Sequence, residues 1–309
     1  MDIRKKRVTV VGLGNSGINA AILARDMGAA VMATDSRDTP ELRKAVKAFE
    51  GKNIRYELGG HTKGFVEGSD LVVLSPGVED SAPPVKWSTG LNIPIIGEME
   101  LAYRFCKGRI IAVTGTNGKS TVTTLIGRIL KAGGLDTVVC GNIGNSLAGE
   151  ISKIGPDTWV VLEVSSFQLE RIEDFKPAIS ILLNITDDHM DRYRKFEDYY
   201  KEKLKIFSNQ DKDGILILNY DAANLRGIEK TAKAKTLFYS RLGKASEVLP
   251  SFGHVSPLRS MGQQPTTCRS DTVALFLRED HESNTGRACW QRRPVREAAE
   301  YSGQASPEG

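Results

Sequence analysis

Two stretches of this chain share one design. RVTVVGLGNSG (residues 7–17) and IIAVTGTNGKST (residues 110–121) each run from an apolar segment, through glycines, into a helical pattern. Backbone N–H groups of a glycine-rich turn at a helix start point at an anion, and the helix dipole adds favourable potential. Such a turn works between the C-terminal end of a strand and the helix that follows. A chain that carries two of them, about 100 residues apart, is thereby directed to two parallel α/β units in series. A length of 309 residues accommodates both.

The surrounding pattern agrees. Residues 8–11, 30–34, 71–74 and 94–96 read as strands; Gly12, Gly14 and Gly17 open a helix through about residue 27, and residues 41–49 and 98–105 read as helices. The alternation pauses at Cys106-Lys107-Gly108 and restarts with strands over 109–113, 137–140, 158–164, 178–184 and 214–219. Helices are expected over 119–132 and 197–207, the latter with lysine and glutamate on its wet side. This predicts a Rossmann-like parallel sheet in residues 1–107 and a P-loop-type α/β ATPase unit in 108–241. From 242 to 309 the composition shifts. No lysine follows Lys244 and no isoleucine follows Ile228, while Arg, Ser, Gln and Pro take over, and only 272–277 resembles a strand. Either a biased, linker-like tail or a change of reading frame accounts for this; neither makes a folded domain there.

Bulk properties exclude several classes. Apolar residues make up 40% and charged residues 26%, as in an ordinary globular protein. The net charge of +4 is not gathered into one run, so neither nucleic-acid binding nor a membrane-surface role is indicated, and no stretch is apolar enough for membrane insertion. Cys106, Cys140, Cys268 and Cys289 are scattered without metal-site spacing, which fits a reducing, cytoplasmic setting. The basic-then-apolar N-terminus breaks at glycines and reads as a first strand rather than a signal peptide.

The chemistry sits at the turns and at strand ends. In the second turn Gly115, Thr116, Asn117, Gly118, Lys119, Ser120 and Thr121 form a variant phosphate loop, with Val113 where the strict pattern has glycine. Lys119 suits terminal phosphates, and Ser120 or Thr121 suits Mg²⁺. The first turn, Gly12-x-Gly14-x-x-Gly17 with Asp35 ending the next strand, fits NAD(P), another nucleotide diphosphate, or a purely structural turn. Glu163 ends an apolar strand, where a carboxylate is costly unless paired or on a metal; the alternative is a strand end facing solvent. Asp187, Asp188, His189 and Asp191 follow another strand, as metal ligands or as a helix-start cap cluster. Lys203 reads as a surface lysine.

Taken together, GLGNSG, TDSRD, LSPGV, GEMELA, VTGTNGKSTVT, GNIGN, LEVSSFQLE, NITDDHMDRY and YYKEKLKIF resemble, in order over residues 7–241, the Mur ligase family and within it the D-glutamate-adding branch. The resemblance implies an ATP-dependent amide ligase of peptidoglycan synthesis, joining D-glutamate to UDP-N-acetylmuramoyl-L-alanine through an acyl phosphate. It implies that the first turn holds the UDP-sugar and the second ATP. It assigns Lys119 to the terminal phosphates, Ser120 and Glu163 to one Mg²⁺, His189 to a second, and Lys203 to carbamylation by CO₂ as a further metal ligand. Asn15, Ser16, Asp35, Ser36 and Arg37 match the uridine-nucleotide site, and Asn142 and Gln168 lie near the muramoyl-alanine part. A monomer is expected. Family members end in a third, Rossmann-like domain that closes over ATP; here it is expected to be missing, and no family motif is found beyond Arg241. A non-catalytic remnant that binds UDP-sugar and ATP is the alternative, and an NAD(P)-dependent oxidoreductase a weaker one, since it leaves the second turn without a task.

Overall fold

The structure is a computed structural model, which describes residues 1–188, 192–193 and 195–242. In chain order its first part comprises β1 (Arg7–Val11), α1 (Asn15–Asp26), β2 (Ala30–Asp35), α2 (Pro40–Ala45), β3 (Arg55–Leu58), β4 (Leu71–Leu74), α3 (Pro83–Gly90), β5 (Ile95–Gly97) and α4 (Glu98–Tyr103). Its five strands are all parallel, in the order β3-β2-β1-β4-β5. β1 and β4 read as continuous apolar runs because both faces of a parallel sheet are covered by helices. Thr9 is the polar exception within β1, and its hydroxyl is satisfied by the Phe65 carbonyl at 2.6 Å and Ser69 Oγ at 2.7 Å.

The second part comprises β6 (Arg109–Thr114), α5 (Lys119–Ala132), β7 (Thr137–Gly141), α6 (Leu147–Glu150), β8 (Trp159–Glu163), α7 (Ser166–Leu169), β9 (Ile179–Leu182), α8 (Phe196–Leu204), β10 (Ile215–Asn219) and β11 (Lys235–Tyr239). These six strands are again all parallel, in the order β11-β10-β9-β6-β8-β7. In both sheets the order reverses beside the strand that precedes the glycine turn. That reversal opens a crevice at the C-terminal ends of the strands, where ligands of α/β sheets bind.

Several expectations need correction. The helix expected over 41–49 is α2 followed by a 3-10 turn, Val46–Phe49. The helix expected over 197–207 likewise ends at Leu204 and tightens into a 3-10 turn, Lys205–Phe207. Lys203 is not on a wet face: it is 2% exposed. β3, α3, α6, α7 and β11 were not expected. The strand expected over 272–277 lies outside the described residues.

The two sheets share one apolar core. Met99, Leu101 and Ala102 of α4 pack in the same cluster as Leu147, Leu169 and Phe175. Tyr103 meets Phe175 edge-on, with ring centroids 5.3 Å apart. Polar contacts cross the junction as well. The buried Glu100 carboxylate accepts the backbone N–H groups of Glu173, Asp174 and Phe175 at 3.0–3.1 Å and the Arg104 guanidinium at 2.8 Å. Asn19 of α1 donates to Ser146 Oγ at 3.0 Å. Among the described residues no helix is long and apolar enough to cross a membrane.

Candidate active site

The first turn is built by close approach. A Cβ on Gly17 would lie 1.8 Å from the Gly12 carbonyl oxygen and 2.6 Å from Ser75 Oγ, so only glycine lets α1 begin against the turn. Ser75 Oγ donates to that carbonyl at 2.7 Å, which ties the loop after β4 to the loop after β1. Asp35 is buried and braces the turn. Its carboxylate accepts the Leu13 N–H at 2.7 Å and the Arg37 N–H at 2.9 Å, and it pairs with the Arg37 guanidinium. Burial works against its charge, but the Leu13 amide and the Arg37 contacts outweigh it, so the carboxyl sits below its ordinary value. Asn15, Ser36 and Arg37 are exposed and Ser16 half-exposed, all on the rim of the turn. No side chain caps the N-terminus of α1.

The second turn is held by residues the motif reading did not assign. Asn184 Oδ1 accepts the Asn117 N–H at 2.8 Å while its Nδ2 donates to the Asn117 carbonyl at 3.0 Å. Thr116 Oγ1 accepts the Thr186 N–H at 3.0 Å and lies 3.1 Å from the Tyr199 hydroxyl. Polar residues directly after the apolar strand β9 were the available signal. Gly118 caps α5 at φ +85°, a conformation that favours glycine. Lys119 Nζ folds back to donate to the carbonyls of Gly115 at 3.0 Å and Thr116 at 2.9 Å. Ser120 and Thr121 are exposed at the helix start.

Glu163 stands beside this turn, because β8 pairs with β6 and sets Glu163 opposite Val113. It does not face solvent: it is 2% exposed. Its Oε1 accepts Asn142 Nδ2 at 3.0 Å, and its Oε2 is buried with no hydrogen-bond partner. An orphaned buried carboxylate oxygen is costly unless a cation or donor completes it, so this position fits a metal ligand. Among the described residues no group of three His, Cys, Asp or Glu could hold a metal by itself. That is compatible with Mg²⁺, which keeps most of its oxygens from water and phosphates. Lys203 Nζ donates to the Gly115 carbonyl at 3.0 Å and lies 4.7 Å from the centroid of the Tyr199 ring. Burial, and then the charge of Lys119, push its pKa down to about 7, against the opposing charge of Asp188. His189 and Asp191 lie outside the described residues.

Gln168 is 5% exposed and committed to structure. It forms a capping box with Ser165 at the start of α7, and its Nε2 donates to Glu98 Oε1 at 3.2 Å. Burial raises the Glu98 carboxyl to about 7, against the Gln168 bond. Asn142 is exposed in the loop between β7 and α6. Four residues further on, Ser146 meets Asn19 of α1, so this one loop links Glu163 to the helix of the first turn.

Known proteins resemble this chain along both sheets. Residues 6–97 match the model of the Mur ligase MurD-like N-terminal domain, and residues 113–261 that of the Mur ligase middle domain, which runs past Arg241. The UDP-N-acetylmuramoylalanine–D-glutamate ligase of Koribacter versatilis is 45% identical over 241 residues, covering 78% of this chain and 53% of the relative. That of Geotalea daltonii is 38% identical over 281 residues, covering 91% and 61%. The chain therefore spans little more than half the length of these relatives. The fold is shared with the UDP-N-acetylmuramate:L-alanyl-gamma-D-glutamyl-meso-diaminopimelate ligase of Neisseria meningitides, with a TM-score of 0.55 and 16% identity over 75% of this chain and 77% of that one. It is shared too with a murein peptide ligase of Psychrobacter arcticus, with a TM-score of 0.51 and 17% identity over 76% and 53%. With both of its sheets matched by models of one family, and relatives at this level of identity, the chain belongs to the Mur ligase family.

Proposed function

We propose that the chain acts as an ATP-dependent acid–amine ligase of peptidoglycan synthesis, joining D-glutamate to UDP-N-acetylmuramoyl-L-alanine. Residues 1–107 serve as the UDP-sugar domain and residues 108–241 as the ATP domain of a monomeric, cytoplasmic protein. The observation that carries this reading is the convergence on one carbonyl. Lys119 and Lys203 both donate to Gly115 O, and the orphaned Glu163 Oε2 belongs to the neighbouring strand. The names of the relatives supply the substrates.

The chemistry follows from what a carboxylate lacks. It is a poor electrophile, so its oxygen first attacks the terminal phosphorus of ATP, and ADP leaves. The acyl phosphate is then attacked by the amine of D-glutamate, the amine loses a proton, and inorganic phosphate departs as the amide forms. The amides of the turn from Gly115 to Thr121 and the Lys119 ammonium stabilise charge on the transferring group, while Asn184 and Thr186 keep the turn in shape. Lys203, with a pKa near 7, presents an unprotonated amine that can add CO₂ and release a proton, becoming a carbamate. Ser120 and Glu163 would hold one Mg²⁺ and His189 a second, with the carbamylated Lys203 as a further metal ligand; bound there, magnesium supplies neutralising charge beside the triphosphate. At the first turn, Asn15, Ser16, Ser36 and Arg37 form the rim for the nucleotide, Asp35 holds the turn, and Asn142 faces the sugar-acid end. Gln168 acts by keeping α7 seated on α4.

The purified chain tests this directly. Phosphate release that requires UDP-N-acetylmuramoyl-L-alanine, ATP and D-glutamate together is expected, and Lys119→Ala should lower it by at least about a hundredfold. Saturable binding of UDP-sugar and ATP without such release would leave only a binding function.

A further inference from the structure

Asn117-Gly118 is the one Asn-Gly step in the sequence, and it lies in the second turn with both residues exposed. A glycine after asparagine leaves its backbone nitrogen open on the side that any other residue would cover with a Cβ. That nitrogen can close onto the side-chain amide carbon one residue back, in a five-membered ring. Neither the Asn117 side-chain amide nor the Gly118 N–H has a hydrogen-bond partner among the described residues.

The backbone on either side of this step is pinned. Before it, the Thr116 N–H donates to the Asn184 carbonyl at 3.0 Å, and the Thr116 carbonyl accepts Lys119 Nζ at 2.9 Å. After it, the Gly118 carbonyl accepts the Val122 N–H of α5 at 3.0 Å. The peptide that joins residues 117 and 118 is held by the Asn184 side chain alone among the described residues. Asn184 Oδ1 takes the Asn117 N–H at 2.8 Å, and Nδ2 gives to the Asn117 carbonyl at 3.0 Å. Both bonds end on one amide group, so rotation about the Asn117 Cα–C bond breaks at least one of them. That same rotation is what brings the Gly118 nitrogen round to the Asn117 side chain.

We propose that Asn117 is a site of self-modification, at which the Gly118 nitrogen cyclises onto the Asn117 side chain, and that the Asn184 clamp is the brake on this reaction. The Gly118 nitrogen gives its proton to base and forms a bond to Cγ of Asn117. The bond from Cγ to the side-chain nitrogen breaks, and that nitrogen takes up a proton and leaves as ammonia. Water then opens the cyclic imide at either of its two carbonyl carbons. The products are aspartate at position 117 or its isomer, in which the main chain runs through the side-chain carbon. Each puts a carboxylate into a turn whose amides point at an anion. The isomer also lengthens the main chain by a methylene, which draws it out of register with Asn184. A turn filled by phosphates engages its own N–H groups and is shielded; this shielding, and nothing else in the proposal, rests on the reading of the second turn as the ATP cradle.

Peptide mapping by mass spectrometry of the full chain, held in warm, mildly alkaline buffer, tests this, with a free peptide of residues 113–121 as the unclamped reference. In the wild-type chain Asn117 should convert before any other asparagine, yet more slowly than in the peptide. Asn184→Ala should speed conversion severalfold, toward the rate in the peptide. Asn184→Asp keeps an acceptor for the Asn117 N–H but loses the donor to its carbonyl, and should fall between. ADP binding should decline in step with conversion, and Asn117→Asp should bind ADP at least about fivefold more weakly than the parent, the effect of one like charge close by in water. Saturating ADP should slow conversion in the wild-type chain. If Asn117 converts no faster in either Asn184 variant than in the wild-type chain, or if another asparagine of the wild-type chain converts first, the assignment is overturned. If conversion follows the Asn184 variants but is indifferent to ADP, the modification site stands and the nucleotide reading of the turn falls.

Discussion

Lys203 carries its amine into a space where an ammonium is poorly solvated, and stability should record that. Its pKa falls from 10.5 to about 7 on folding, so the unfolded chain binds the extra proton between those values. Stability contributed by this group therefore rises with pH across that window. Below about pH 7 it costs of the order of 5 kcal/mol. Lys203→Met, which fills the same space without a titrating group, should be more stable than the parent near neutral pH. The difference should shrink toward about pH 10, as read by urea unfolding of the two proteins. A difference that stays constant with pH would show that the amine is not buried uncharged. The burial itself was not legible in the sequence. YYKEKLKIF has the spacing of an amphipathic helix with its lysines outward, and only the position of the second glycine turn, fixed by pairing of β6 with β8 and β9, puts the Gly115 carbonyl within reach of Nζ. Glu163 was legible, because a carboxylate ending VVLE has few inexpensive places to go.

At the scale of elements, α4 is the hinge pin of the architecture. Met99, Leu101 and the aliphatic part of the helix are buried, and each such side chain contributes about 1.5–3 kcal/mol. Glu100 adds a carboxylate that receives three backbone N–H groups and one guanidinium. Glu100→Ala leaves those donors buried without an acceptor and should destabilise the chain by about 3–5 kcal/mol in denaturant unfolding. Glu100→Gln, which keeps one acceptor oxygen, should lose less. Equal losses for the two variants would show that charge rather than acceptor geometry matters there. Most elements were visible as apolar runs between glycines and polar turns. β3 and β11 were not: RYEL and KTLFY are edge strands with half-exposed faces, so neither shows an uninterrupted apolar run. α3 opens with two prolines, suited to a first helical turn but easily read as a loop.

At the scale of the whole molecule, the junction between the sheets is made of core rather than surface. Urea unfolding followed by Trp87 of the first sheet's helix α3 and by Trp159 of β8, each kept as the sole tryptophan of an otherwise Trp→Phe chain, should give coincident transitions. Separate midpoints would mean that the sheets unfold independently. The glycine turns that announced two units in the sequence mark two ligand cradles, and the apolar cluster shared by α4, α6 and α7 does not divide along with them. A protein engineer wishing to graft the front half onto another partner would therefore find no clean seam near residue 107. Whatever replaced the back half would have to offer three backbone amides in a row to a carboxylate, and a dry surface for the helix that bears it.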